Sequence, residues 1–232
     1  MEAAPAVSQL TKELGVTIDS ELLVLALTHR SFAYEAGGIP TNERLEFLGD
    51  SVVGIITTEE LYLRHADLPE GDLARMRAAV VSQRGLAKLA RDLNLGEYIL
   101  LGKGEQRDGG ANKDSILSDT FEAIMGAMYL CHDLQTVREV LLKLMADQLD
   151  NAAHLGAALD WKTSLQELVA HQGRDVVIYR ITSTGPDHAR LFTATAVVDG
   201  YDLGSGQGES KKLAEQRAAE KAYESLSAED SA

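Results

Sequence analysis

Two acidic clusters near the middle of the chain contain the residue types needed for metal-dependent hydrolysis. The first, NERLEFLGDS from Asn42 to Ser51, and the second, KDSILSDTFEA from Lys113 to Ala123, set carboxylates at helical spacing inside apolar stretches. On a helix turning by about 100° per residue, Glu43, Glu46 and Asp50 fall within roughly 60° of one another, while Leu45, Leu48 and Val52 point elsewhere. In the second cluster Asp119 and Glu122 form an i, i+3 pair that leads into Ala123, Ile124, Met125, Ala127, Met128 and Tyr129. Acids pressed together against apolar neighbours are costly unless a proton or a cation neutralises them. A solvated helix face would instead pair them with cations one turn away, and Arg44 is the only cation inside the first cluster. From spacing alone, a metal site and a solvated acidic face both stay open.

A metal-loaded site of this kind could serve hydrolysis, which needs an activated water, a stabilised transition-state charge and a leaving oxygen. Magnesium serves all three through oxygen ligands and retained waters. Zinc fits poorly, because neither cluster contains the His or Cys ligands that zinc prefers. A carboxylate-bridged di-iron site would want Glu-x-x-His pairs, and neither cluster has one. The glycine-rich stretch LGKGEQRDGGAN, Leu101 to Asn112, lacks the G-x-x-x-x-G-K-[ST] pattern of a phosphate-cradling loop and reads as a mobile loop.

These clusters need helices to hold them, and the composition allows it. The chain has 232 residues with 45% apolar content, enough for one large or two modest domains. No apolar run reaches the roughly 18 residues that span a bilayer, and MEAAPAVSQLTKELG has no secretory pattern, so a cytoplasmic location without membrane partners is expected. The single Cys131 sits in AMYLCHDL and is expected in a buried apolar position. The net charge of −14 argues against nucleic acid as a partner. Its distribution softens that argument: residues 160–232 hold 8 Lys or Arg against 12 Asp or Glu, leaving −4 there and −10 in the rest.

Up to about residue 151 the pattern is helical. Ser20, Asn42 and Ser82 stand as helix starts, and Gly15 and Gly96 as C-terminal caps. TVREVLLKLMADQLDN, Thr136 to Asn151, reads as one amphipathic helix through Val137, Val140, Leu141, Leu144 and Leu149. After a linker-like NAAHLGAALD the period changes. WKTSLQELVAHQG is helical, whereas VVIYRITS and LFTATAVV alternate as half-buried strands do. Asp199-Gly200 signals a hairpin into YDLGSGQG, and a helix closes the chain. The tail therefore reads α-β-β-β-α. Its GSGQG is no dinucleotide fingerprint and reads as a place where a strand ends sharply.

With both halves laid out, the N-terminal part resembles the bacterial ribonuclease III endonuclease domain. The likeness rests on LTHRSFA (Leu27 to Ala33), NERLEFLGDS, EGDLARMRAAVVS (Glu70 to Ser82), LGKGE (Leu101 to Glu105) and SILSDTFEAIMGAMYL (Ser115 to Leu130). The tail resembles a double-stranded-RNA-binding domain through KTSLQEL (Lys162 to Leu168), TGPDHARLF (Thr184 to Phe192) and GQGESKKLAEQRAA (Gly206 to Ala219). The resemblance implies an α+β multidomain chain. An all-α endonuclease domain would span residues 6–151, a linker 152–160, and a small α-β-β-β-α domain 161–229.

It also implies roles for the residues. Glu46, Asp50, Asp119 and Glu122 would be the metal site, with Asp50 and Glu122 the positions most tied to catalysis. Glu43 and Glu70 would be acids near the RNA groove. Asp114 stands where many members have Glu, which puts it in an outer tier, and it could equally be a helix N-cap. The cofactor would be Mg2+, with Mn2+ as a substitute, and no organic cofactor. The products would be 5′-phosphate and 3′-hydroxyl ends with a short 3′ overhang, from rRNA precursors and some mRNAs. Cutting both strands needs two centres, which the family supplies as a homodimer, and Phe47 matches the position that packs across its interface. An ordinary core role for Phe47 is the alternative.

Duplex RNA is read by 2′-hydroxyl and phosphate contacts rather than by base edges. On the tail, Gln166 in the first helix, Pro186 and His188 in the first hairpin loop, and Ser210, Lys211 and Lys212 at the last helix start are the candidate contacts, the last group helped by the helix N-terminus. Trp161 is expected to pack at the start of this module. The rival function is a non-catalytic double-stranded-RNA-binding protein on the same fold, and four intact carboxylates argue against it.

Overall fold

A computed structural model describes residues 3–154, 161–186 and 190–230, and the chain divides into two units, Met1–Leu155 and Gly156–Ala232. His188, Asp187 and residues 155–160 of the linker reading lie outside the described residues.

The first unit is helical throughout its described elements: α1 (Ala3–Leu14), α2 (Ser20–Ala26), α3 (Arg30–Glu35), α4 (Glu43–Arg64), α5 (Glu70–Val80), α6 (Gln83–Asp92), α7 (Lys103–Arg107), α8 (Asp114–Cys131), α9 (Leu134–Leu144) and α10 (Ala146–Asp150). Helix α8 is apolar on nearly every side, with Ile116, Leu117, Phe121, Ile124, Met125 and Met128 buried, so it becomes the central helix. Helix α4 buries one stripe against it, through Leu45, Gly49, Val52, Val53, Ile56 and Leu61.

Local chemistry accounts for most boundaries. Ser82 caps α6 by accepting the Gly85 N–H at 3.0 Å, and Gly15 takes a left-handed conformation with φ 74 after α1. Helix α2 is capped one residue earlier than expected. The Asp19 carboxylate accepts from Glu21 N at 3.0 Å and Leu22 N at 3.1 Å, leaving Ser20 as the first helical residue. Asn42 does precede α4, but its amide donates to the Ala26 carbonyl at 3.3 Å instead of capping.

Gly96 is not a helix cap either. Asn94 takes the left-handed conformation with φ 53, and Gly96 lies in a 3-10 turn pressed against the Ala111 carbonyl. The helix expected over 136–151 is two helices, α9 and α10. They meet at Met145, whose buried sulfur accepts from the Thr57 hydroxyl at 3.8 Å. The stretch read as a loop over 101–112 forms α7 and a 3-10 turn, Gly110–Asn112. Side chains of α3 anchor it: Ser31 Oγ accepts from Gly102 N at 2.9 Å, and Glu35 Oε1 accepts from Lys103 N at 2.9 Å. Cys131 is only partly buried, and its sulfur accepts from Asp19 N at 3.3 Å.

The second unit is α11 (Trp161–His171), β1 (Ile178–Thr184), β2 (Leu191–Val198), β3 (Tyr201–Gly208) and α12 (Lys211–Asp230). The antiparallel sheet runs β1-β2-β3, in register from Ile178 opposite Val197 to Thr184 opposite Leu191, and from Phe192 opposite Gly208 to Val198 opposite Tyr201. Asp199 and Gly200 are both left-handed, with φ 53 and 83, as a tight two-residue hairpin of primed type requires.

Ala214, Ala218, Ala219, Ala222 and Leu226 of α12 are buried against this sheet. Strand β3 does end at Gly208, but Gly204, Gly206 and Gly208 do more than end it. They run along it facing α12, where a Cβ would collide with the backbone at Ala222, Ala218 and Ala214. Trp161 packs as expected, its ring 5.5 Å from that of Tyr223. The two units thus give the expected α+β architecture, helical first and α-β-β-β-α second.

Candidate active site

Helices α4 and α8 cross with main chain against main chain. A Cβ on Gly49 would be driven into the Glu122 carbonyl, and one on Gly126 into the Leu45 carbonyl. Only glycine allows so close a passage. Glu46 stands three residues before Gly49, and Glu122 four before Gly126, so each acid faces the partner helix just beside the crossing. Carboxylate oxygens of Glu46, Asp119 and Glu122 consequently lie within 4.8 Å of one another, on side chains that are all partly buried.

Asp50, one turn further along α4, is exposed and lies outside that closest group. Its charge still reaches it. Burial, followed by the charges of Asp50, Asp119 and Glu46, pushes Glu122 up to about 8. Glu46 is also raised, by burial first and then by Asp119, Glu43 and Asp50, with Arg30 opposing. Both shifts have one cause: too much negative charge, too little water and no nearby cation strong enough to offset it. Three convergent oxygen donors without nitrogen or sulfur suit a hard divalent cation. The chemistry of the donor set therefore fits a divalent metal held by Glu46, Asp119 and Glu122.

The other acids are placed differently. Glu43 is exposed at the mouth of the same cleft and accepts from the Thr41 hydroxyl at 2.9 Å. Glu70 opens α5 on the surface, and Asp114, the first residue of α8, is ion-paired to Arg91. Neither joins the convergent group. Phe47 is 78% exposed and shares the outer side of α4 with the exposed Ile55 and Tyr62, which rules out the core role.

On the second unit, Gln166 is half-buried and its side-chain carbonyl accepts from Val177 N at 3.1 Å. Pro186 is exposed between β1 and β2. Ser210 caps α12 by accepting from Leu213 N at 3.2 Å, with Lys211 and Lys212 exposed on the first turn.

Sequence reasoning misses the basic and histidine lining of the cleft that the acids share. A cleft of about 560 Å³ is lined by His29, Arg30, Glu43, Glu46, Lys113 and Asp119, among others. The signal for it lies in LTHRSFA, through the spacing of His29 to Ser31, and in the Lys before DSIL. The two crossing glycines are also legible as a small residue three or four positions after each acid.

The fold and site together define a helical, metal-binding phosphodiesterase joined to a module for duplex RNA. The ribonuclease-III-like family model matches residues 19–149, and the double-stranded RNA binding motif matches residues 161–226. Ribonuclease 3 of Streptomyces coelicolor is 56% identical over 215 residues, covering 93% of this chain and 78% of its own length. Ribonuclease 3 of Nocardia farcinica is 55% identical over 225 residues, covering 96% of this chain and 94% of its own. The crystal structure of the nuclease domain of ribonuclease III from Campylobacter jejuni superposes with a TM-score of 0.57 at 41% identity, covering 60% of this chain and 93% of that one. A second structure of that domain, described for flexibility in a region involved in dimer formation, gives 0.58 at 40% identity, covering 61% of this chain and 97% of that one. The chain belongs to the ribonuclease III family and is a double-strand-specific endoribonuclease.

Proposed function

We propose that the chain hydrolyses double-stranded RNA with Mg2+, or Mn2+ in its place, at the Glu46, Asp50, Asp119 and Glu122 carboxylates. Glu46, Asp119 and Glu122 hold the ion, and Asp50 completes the set from the exposed side. Asp50 and Glu122 stand nearest the chemistry, Glu122 because burial and the charges of Asp50, Asp119 and Glu46 make its carboxylate the one with most to gain from a bound cation. A divalent ion held there would supply an activated water and neutralise charge on the phosphate. Glu43, Glu70 and Asp114 form an outer ring that tunes the field around the groove. The reading is carried by one observation, the convergence of three carboxylates within 4.8 Å.

The products are 5′-phosphate and 3′-hydroxyl ends. Gln166, Pro186, His188, Ser210, Lys211 and Lys212 grip the duplex, and a homodimer packed through Phe47 supplies one centre per strand. The endonuclease domain spans residues 6–151, the linker 152–160 and the RNA-binding domain 161–229. No helix among the described residues is long and apolar enough to cross a membrane. The protein works in the cytoplasm on rRNA precursors and some mRNAs.

The test is digestion of a long duplex by the full chain with magnesium, with EDTA, and with Glu46→Ala or Asp119→Ala. Cleavage should need the metal and vanish in both variants while duplex binding persists. Wild-type rates in either variant would remove that residue from the metal site, and an intact duplex under all conditions would favour the non-catalytic binder.

A further inference from the structure

The cleft that Glu46 and Asp119 line also holds a histidine, His29, with one ring nitrogen that no hydrogen bond engages among the described residues. His29 is pinned by its backbone: its N–H donates to the Leu100 carbonyl at 3.2 Å, and Leu100 N donates to the Leu27 carbonyl at 2.8 Å. Asn42 N donates to the Thr28 carbonyl at 3.0 Å, which ties this segment to the start of α4. The ring is fixed as well. Ser31 N donates to His29 Nδ1 at 3.3 Å, and the Ser31 hydroxyl, whose oxygen already accepts from Gly102 N, lies 2.8 Å from the same nitrogen.

In the tautomer that lets Nδ1 accept the Ser31 N–H, with the Ser31 hydroxyl donating to the same nitrogen, the proton of the neutral imidazole sits on Nε2. Burial favours that neutral form, lowering the His29 pKa against the pull of Glu105 and Asp119. Nε2 therefore has no lone pair to offer a metal. It is a donor, in the cleft that Glu46 and Asp119 also line, and no hydrogen bond engages it among the described residues.

Beside it Arg30 lines the same cleft, exposed and without an ion pair among the described residues, whereas Lys113 is held by Glu105 at 2.5 Å. A neutral donor and an uncommitted guanidinium facing a carboxylate cluster match an anionic oxygen that must lie close to those acids. A polynucleotide strand approaching a cluster of acids is repelled by it, and these two donors supply attraction within the same cleft. We propose that His29 donates its Nε2 hydrogen to a backbone phosphate oxygen of the RNA strand in the cleft, with Arg30 as the second donor, and so orients that strand against the Glu46, Asp119 and Glu122 carboxylates. The proposal rests on the nuclease function above.

His29 also caps α3, and two substitutions in the full chain separate the roles. His29→Asn keeps a good capping oxygen but removes the Nε2 donor. His29→Gln sets an amide N–H near the Nε2 position and gives up the cap. In single-turnover cleavage of a duplex with magnesium, His29→Asn should melt like wild type yet cut about 10- to 100-fold more slowly, the range for a lost hydrogen bond to a charged group. His29→Gln should melt lower yet cut faster than His29→Asn. Arg30→Gln, at an exposed position, should fold normally and also slow cleavage.

Among methylphosphonates placed singly along the strand, one position should slow wild type clearly more than it slows His29→Asn, whose remaining penalty there is that of Arg30. Equal losses in His29→Asn and His29→Gln, wild-type cutting by His29→Asn or Arg30→Gln, or a 2′-deoxy substitution reproducing that position's penalty would overturn the proposal. Wild-type protein that leaves the duplex whole would sink the nuclease reading instead.

Discussion

Replacing Glu122 by Gln should stabilise the metal-free protein at alkaline pH and much less at acid pH. Burial and three neighbouring acids hold this carboxyl at about 8, against 4.5 for a free one. At ~1.4 kcal/mol for each tenfold change in proton affinity, the full difference would be about 5 kcal/mol, and solvent screening of a partly exposed side chain reduces it to roughly 2–3 kcal/mol. Below the free value of 4.5 the group is protonated in folded and unfolded chains alike and costs nothing. Between there and about 8 the unfolded chain releases its proton while the folded chain keeps it, so stability falls as pH rises. Above that range the full penalty persists.

Thermal melts in EDTA are the assay. At ~2–4 °C per kcal/mol for a domain of this size, Glu122→Gln should melt about 4–12 °C above wild type near pH 8.5, and less than half as far above it near pH 5.5. Magnesium should close the gap, because ion binding to the native state stabilises wild type alone. A melting difference independent of pH, or a Gln variant less stable than wild type at alkaline pH, would refute the account of the site as uncompensated negative charge.

Other substitutions probe the frame and the surfaces. Gly49→Ala forces α4 and α8 apart at the Glu122 carbonyl and should cost about 1–3 kcal/mol in chemical denaturation, together with a loss of cleavage. Near-native values in both assays would show that the crossing relaxes freely. Phe47→Ala should weaken the homodimer about 30-fold in sedimentation, the effect of removing an aromatic anchor worth ~2 kcal/mol, and unchanged association would take Phe47 out of the interface. Lys211→Ala should lower the slope of log affinity against log salt by about 0.9 for duplex binding, and an unchanged slope would place Lys211 away from phosphate.

Local periodicity makes much of this molecule legible in its sequence. The limits of β2 and β3 follow from alternation and from Asp199-Gly200, and the acids on α4 and α8 follow from helical spacing. What depends on distant partners stays hidden there. Nothing near Asp114 in the sequence reveals that Arg91 claims it, or that Asp50 sits outside the tightest group. The β3 glycines read as a strand end because their reason for existing is α12, which packs on them from beyond the strand. At the break, Met145 is likewise in contact with a distant partner, Thr57 on another helix.

The Gly49 and Gly126 crossing has a consequence for how this protein can change over time. Where two helices touch through peptide units alone, their separation is dictated by atoms that every polypeptide shares. At that one point the spacing beside the acids has a backbone floor: exchanges among the surrounding leucines and methionines can splay the helices but cannot bring them closer.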